Sequence, residues 1–153
     1  MADLPFNALY ESGAAETEAL FVRLASEDRQ TVQQRPCPRV WSAEEFARHL
    51  VWVEDTLLRV ENLGLVPHPF PPGFAVLPGQ VLETHVEVSV TRQVAEAVRE
   101  SVRQALDQLS PDLLEQTIED SGGRTVAANL IRFLDLSSGV RAAARLVLRL
   151  AKG

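Results

Sequence analysis

Residues 40–62 read VWSAEEFARHLVWVEDTLLRVEN, and this stretch decides the fold. Ser42 is a favourable helix N-cap, and Glu45 stands three residues on, where its carboxylate reaches back to the Ser42 amide as a capping box. Trp41 ahead of the cap and Phe46 one turn inside are placed to close a hydrophobic staple. Glu44 and Glu45 set negative charge at the positive end of the helix dipole. Apolar residues recur at Phe46, Leu50, Val53, Leu57 and Val60, the spacing of a helix with one buried stripe. His49 lies on that stripe or at its border.

Before this helix, apolar residues at Leu4, Leu9, Ala14, Phe21, Leu24 and Ala25 predict a first helix over 4–34. It is expected to break or fray near Ser12-Gly13 and to be strongest over 14–31. The run Arg35-Pro-Cys-Pro-Arg39 ends it, since each proline disfavours helix in the residue before it. Gly64 stops the second helix. Residues 65–79 then hold five prolines and two glycines, too many for any regular element. They form a long crossover, with Phe70 and Phe74 expected to tuck against the bundle and order it.

Residues 82–109 carry two competing signals. Val86, Val88 and Val90 alternate as in a strand. Leu82, Val86, Val90, Val94, Val98, Val102 and Leu106 form an unbroken four-residue row, so one helix is predicted over 82–109. Ser110-Pro111 opens a short helix to about residue 118, Asp120 to Gly123 is a turn, and Thr125 caps the last helix. In that helix Val126, Leu130, Phe133 and Leu134 share a face, as do Val140, Ala144, Leu148 and Ala151. Leu136-Ser-Ser-Gly139 between them is a place for a kink. The fold class predicted is all-α, an antiparallel four-helix bundle with a long crossover, in a single domain over 1–153.

A chain of 153 residues buries a useful core without disulfides. Cys37 is the only cysteine, which suits a reducing compartment, and no stretch has the build of a signal peptide or a bilayer span. A cytoplasmic protein with no membrane partner is expected. The net charge of −6 makes nucleic acid a poor partner, because phosphate neutralisation needs a basic surface. The charge is uneven, however. Residues 121–153 hold six basic residues against one acid, Asp135, which leaves nine basic and twenty acidic residues in the rest.

The tryptophan-serine start at Trp41-Ser42, the acidic first turn and the His49-Leu50 pair resemble the second helix of the DinB-like (DinB/YfiT) superfamily. The resemblance implies a four-helix bundle, commonly dimeric, and for many relatives a divalent metal held by three histidines. One such ligand comes from the second helix and two from a His-x-x-x-His pair on the last. His49 matches the first ligand. The other two are missing, since the pair would fall near Leu136 and Val140 and residues 121–153 contain no histidine. Relatives include metal-dependent thiol transferases and isomerases.

His49 is therefore weighed as a metal ligand against the commoner core histidine. A substitute set of His49, Glu54 and Asp135 rests on two speculative ligands. His68 and His85 read as surface residues. Cys37 has Arg35 and Arg39 nearby, and positive charge lowers a thiol pKa; an inert loop cysteine is the commoner case. The row Arg141, Arg145, Arg149 reads either as an anion-binding face or as a solvated face that pairs with acids elsewhere. The function expected is a DinB-like bundle without the family metal site or a cofactor, acting as a small-ligand-binding or protein-interaction module. The alternative is a thiol-related transferase or isomerase remodelled around His49, with a divalent transition metal such as zinc or nickel. Ala142, Ala143, Leu146, Val147 and Leu150 add a second apolar band to the last helix, which predicts a homodimer.

Overall fold

The computed structural model of the 153-residue chain describes residues 5–74, 85–108 and 126–153. Helix α1 spans Pro5–Ala25, the short α2 spans Arg29–Gln33, and α3 spans Ala43–Val53. From α3 the chain continues directly into a π-helix over Glu54–Asn62. Helix α4 spans Val88–Asp107 and α5 spans Val126–Lys152. No strand occurs among the described residues.

Side-chain pairings fix the directions of the helices. Glu11 meets Arg103 and Glu18 meets Arg92, so α1 and α4 are antiparallel. Arg141 meets Thr17 while Lys152 meets Glu27, so α1 and α5 are parallel. Glu44 bonds the Val86 amide and Arg59 bonds Ser101, which makes α3 and α4 parallel. The order is up, down, down, up. Two consecutive parallel helices require the chain to travel the bundle's length between them, and residues 63–87 separate these two.

The core collects Tyr10, Leu20, Phe21 and Leu24 of α1, Ala47, Leu50, Val51 and Val53 of α3, and Val98 and Val102 of α4. Helix α5 adds Leu130, Phe133, Ala144, Val147 and Leu148. The second helix starts as its sequence dictates. Glu45 N–H donates to Ser42 Oγ (3.2 Å) and Ser42 N–H to Glu45 Oε1 (3.0 Å). The Trp41 and Phe46 rings meet edge-on at 5.2 Å, which closes the staple. At the other end Gly64, at φ +68°, turns the chain so that the Leu65 amide bonds back to the Arg59 carbonyl (2.8 Å).

Five local expectations are corrected. Helix α1 runs unbroken through Ser12-Gly13, because Tyr10, Ala14 and Thr17 on either side are buried in the bundle and outweigh a glycine penalty of roughly 1 kcal/mol. The break comes instead at residues 26–28, where the Ser26 hydroxyl donates to the Arg23 carbonyl and competes with the helix. Helix α4 starts at Val88, with residues 85–87 non-helical, so the predicted start at Leu82 is too early. A four-residue row turns about 40° per step around a 3.6-residue helix. The buried stripe therefore leaves Val90 and Val94 and follows Thr91, Ala95, Val98, Val102 and Leu106.

Helix α5 passes through Leu136 to Gly139 as one helix, with the Ser137 hydroxyl bonded to the Phe133 carbonyl (2.9 Å). In the second helix Leu58, not Leu57, is fully buried. The i→i+5 bonding of a π-helix lengthens the step from Val53 by one residue. Residues 75–79 of the predicted crossover, the predicted short helix after Ser110, the turn at Asp120 and the Thr125 cap lie outside the described residues.

Candidate functional site

Most charged groups of the second helix are engaged in fastening loops. Glu45 takes a bidentate Arg35 guanidinium (2.8 and 2.9 Å), which ties the proline-flanked turn to the helix start. Burial tends to raise the Glu45 carboxyl, but Arg35 and the Ser42 amide hold it below the usual range. Arg48 is fully buried. It pairs with Glu44 (3.3 Å) and donates to the carbonyls of Phe74 (2.8 Å) and Gly73, with its guanidinium over the Phe74 ring. Glu44 also accepts the Val86 amide (2.8 Å) and lies 3.4 Å from His85, which is exposed and precedes α4 rather than lying on it. Asp55 pairs with Arg59 and accepts the His68 amide. Phe70 stacks on the fully buried Phe74 at 5.1 Å, as expected of the crossover.

His49 is buried between two indoles. Its ring lies 4.8 Å from Trp41 and 5.5 Å from Trp52, the latter stacked. Glu54, five residues on, is half-buried beside Thr17 of α1 and Ala95, Val98 and Arg99 of α4. The Tyr10 hydroxyl donates to Glu54 Oε2 at 2.8 Å. Burial pushes the Glu54 carboxyl up to about 7, against the pull of the Tyr10 bond and of Arg99, Arg103 and Arg141. Burial, then the Glu54 charge, pushes the Tyr10 phenol upward as well. A cavity of about 10 Å3, room for about one water, lies beside Glu54 and is lined by Thr17, Leu50, Ala95, Val98 and Arg99 among others.

These arginines come from the other helices. Arg103 pairs with Glu11 (2.7 Å), Arg99 approaches Glu18 (3.9 Å), and Arg141 reaches Thr17 (3.2 Å) and Glu16 (3.6 Å). The family model of the DinB superfamily matches residues 9–134, more than half of the chain. The chain belongs to the DinB superfamily. No curated protein and no solved structure matches it.

Membership makes the metal question concrete. His49 stands where one DinB ligand is expected, yet its ring is stacked among aromatics. Asp135 is exposed, and Glu54 is bonded to Tyr10. Among the described residues no three His, Cys, Asp or Glu side chains gather to hold an ion. The donor set here does not fit the superfamily's three-histidine metal.

Glu54 was visible in the sequence only as a doubtful metal ligand, and Tyr10 not at all. One signal marked Glu54: it stands four residues after Leu50, inside the buried stripe. The arginine row divides in this DinB bundle. Arg141 pairs with Glu16 of the first helix, as expected of the row, but it is buried rather than on a solvated face. Arg145 and Arg149 face another way, towards a groove between α1 and α5. Cys37 is exposed.

Proposed function

We propose that this DinB-superfamily chain works without a metal, as a self-associating module that binds a small ligand. The observation that carries the reading is the packing of His49 between Trp41 and Trp52, in a second helix whose Glu44, Glu45, Arg48 and Asp55 are engaged in holding loops. An imidazole stacked on one indole and met at a tilt by another, with no histidine on the last helix to join it, contributes packing rather than coordination. Elemental analysis of protein purified without chelator or affinity tag tests this. Less than a tenth of a metal per chain is expected; about one zinc or nickel per chain, lost in His49→Ala, overturns it.

Self-association is supported by the outward face of α5. Ile131, Leu146 and Leu150 are 54%, 50% and 57% exposed there, and Ala142 is exposed between them, while Val147 of the expected second band turns inward. An apolar face of this kind is covered in an assembly, and relatives of this superfamily commonly pair. Light scattering at micromolar concentration is expected to give twice the chain mass of 16.9 kDa, and Leu146→Glu to halve it. A monomer at all concentrations refutes the pairing.

A second reading has one observation in its favour. Glu54, poised near neutral pH beside Tyr10, suits acid–base catalysis better than His49 does. It requires a substrate to reach Glu54, whereas the neighbouring cavity holds about one water. The ligand-binding reading therefore stands first.

A further inference from the structure

The groove between α1 and α5 has a volume of about 250 Å3 and is lined by Ala19, Leu20, Arg23, Arg145, Leu148 and Arg149. Three of these six residues are arginines, brought together from two helices, and none is acidic. Leu20 and Leu148 are buried and form an apolar floor. Arg23 engages Glu27 through Nε (3.3 Å), and Glu27 is shared with Lys152. Arg145 and Arg149 make no ion pair among the described residues, although the chain as a whole is acidic. Arg145 is half-buried, so its charge is only partly solvated.

Surface arginines on an acidic protein ordinarily find carboxylates, and those of α4 all do: Arg92, Arg99 and Arg103 pair with Glu18 or Glu11. Arg141, one turn before Arg145, pairs with Glu16. Like charge is uncompensated next to it, and Arg145 helps hold the Arg141 guanidinium below its ordinary range, after burial. Guanidinium groups match the oxygen geometry of phosphate and carboxylate, and apolar walls strengthen the attraction by lowering the local dielectric.

We propose that the α1–α5 groove binds a small multivalent oxyanion, of the phosphate-ester or polycarboxylate class, through Arg145 and Arg149 with Arg23 at its rim. The inference rests on the ligand-binding part of the function above and supplies the ligand's chemistry. The volume lies just below that of drug-sized ligand sites, about 300–1,000 Å3, so the occupant is compact. A concave site with a half-buried arginine suits a free anion better than a flat lipid surface, which would touch the rim alone.

Calorimetric titration of the full chain with inorganic pyrophosphate, against sodium chloride of equal ionic strength, tests the assignment. Saturable binding of one pyrophosphate per chain is expected, weakened tenfold or more by Arg145→Gln and by Arg149→Gln. Arg132→Gln, an exposed arginine outside the groove on the same helix, is expected to bind as the parent does. Arg149→Lys keeps the charge and loses the fork, so an intermediate loss is expected and guards against misfolding as the cause. No binding beyond the chloride control, or binding that survives both glutamine variants, overturns the proposal. Pelleting with phosphatidylglycerol vesicles in the absence of pyrophosphate binding assigns the arginines to a lipid surface and overturns it too. A metal found on the chain would sink the metal-free reading and leave this result untouched, since the groove has no metal-ligating side chain.

Discussion

His49 and Glu54 stand five residues apart on the second helix, and their surroundings are opposite. The imidazole has the composition of a functional residue and the environment of a packing one, held between two indoles and stacked on that of Trp52. The carboxylate lies where other helices converge on it, with Tyr10 bonded to it and three arginines influencing its charge. Residue type on one helix therefore points to the wrong half of that helix. Chemistry is decided by what the remaining helices deliver, and the helix's own spacing does not carry that information.

The contrast makes the 43–53 half structural, and its largest expected effect is on stability. Arg48→Ala leaves Glu44 buried without its cation and the Gly73 and Phe74 carbonyls without their donor. Breaking a buried pair in this way costs about 3–5 kcal/mol. Urea titration measures it. A loss under 1 kcal/mol means that the crossover is held to the helix by something other than Arg48.

The 54–62 half is expected to respond to pH. Glu54 titrates at about 7 when folded and in the ordinary carboxylate range, about 4.3, when unfolded. Between these values the folded chain binds the extra proton. This contribution to stability is present at low pH and is lost as pH rises through 7, with a size on the order of 3–4 kcal/mol in full. In Glu54→Gln the amide oxygen still accepts the Tyr10 hydroxyl but nothing ionises. The variant is expected to lose most of the fall in stability between pH 5 and pH 8. An unchanged slope would show that Glu54 does not titrate there, and the contrast with His49 would collapse.

What was legible in the sequence follows the range of the forces involved. The capping box, the staple, the irregular stretch over 65–74 and the identity of each long helix depend on residues within a turn or two of one another, and all are present. The unbroken passage of α1 through Gly13 was hidden because the burial of Tyr10 and Ala14 around it is supplied by helices distant in sequence. A glycine costs roughly 1 kcal/mol in an isolated helix, and tertiary packing overrides it. The π-helix was hidden for a similar reason: the apolar spacing of the second helix reads equally well with Leu57 or Leu58 inside. The arginine row was seen as a row, but its division into an inward Arg141 and a groove-facing pair depends on where Glu16 and Thr17 of α1 lie.

The smallest expected effect tests the start of the structural half. In Ser42→Ala the Glu45 amide loses its acceptor, and both groups are buried, so water cannot replace the bond cheaply. The loss remains partial, because Glu45 keeps the Ser42 backbone amide and the Arg35 fork, and the Trp41–Phe46 staple holds the entry angle. A cost of about 1 kcal/mol follows from known cap substitutions. It should be independent of pH between 5 and 8, unlike the effect at Glu54, because Arg35 and the Ser42 amide hold the Glu45 carboxyl below its usual range and so ionised throughout. Denaturation midpoints at both pH values decide the point. A Ser42→Ala cost that doubled at pH 5 would mean that Glu45 takes up a proton there, and the clean division between a structural half and a titrating half would fail at its first turn.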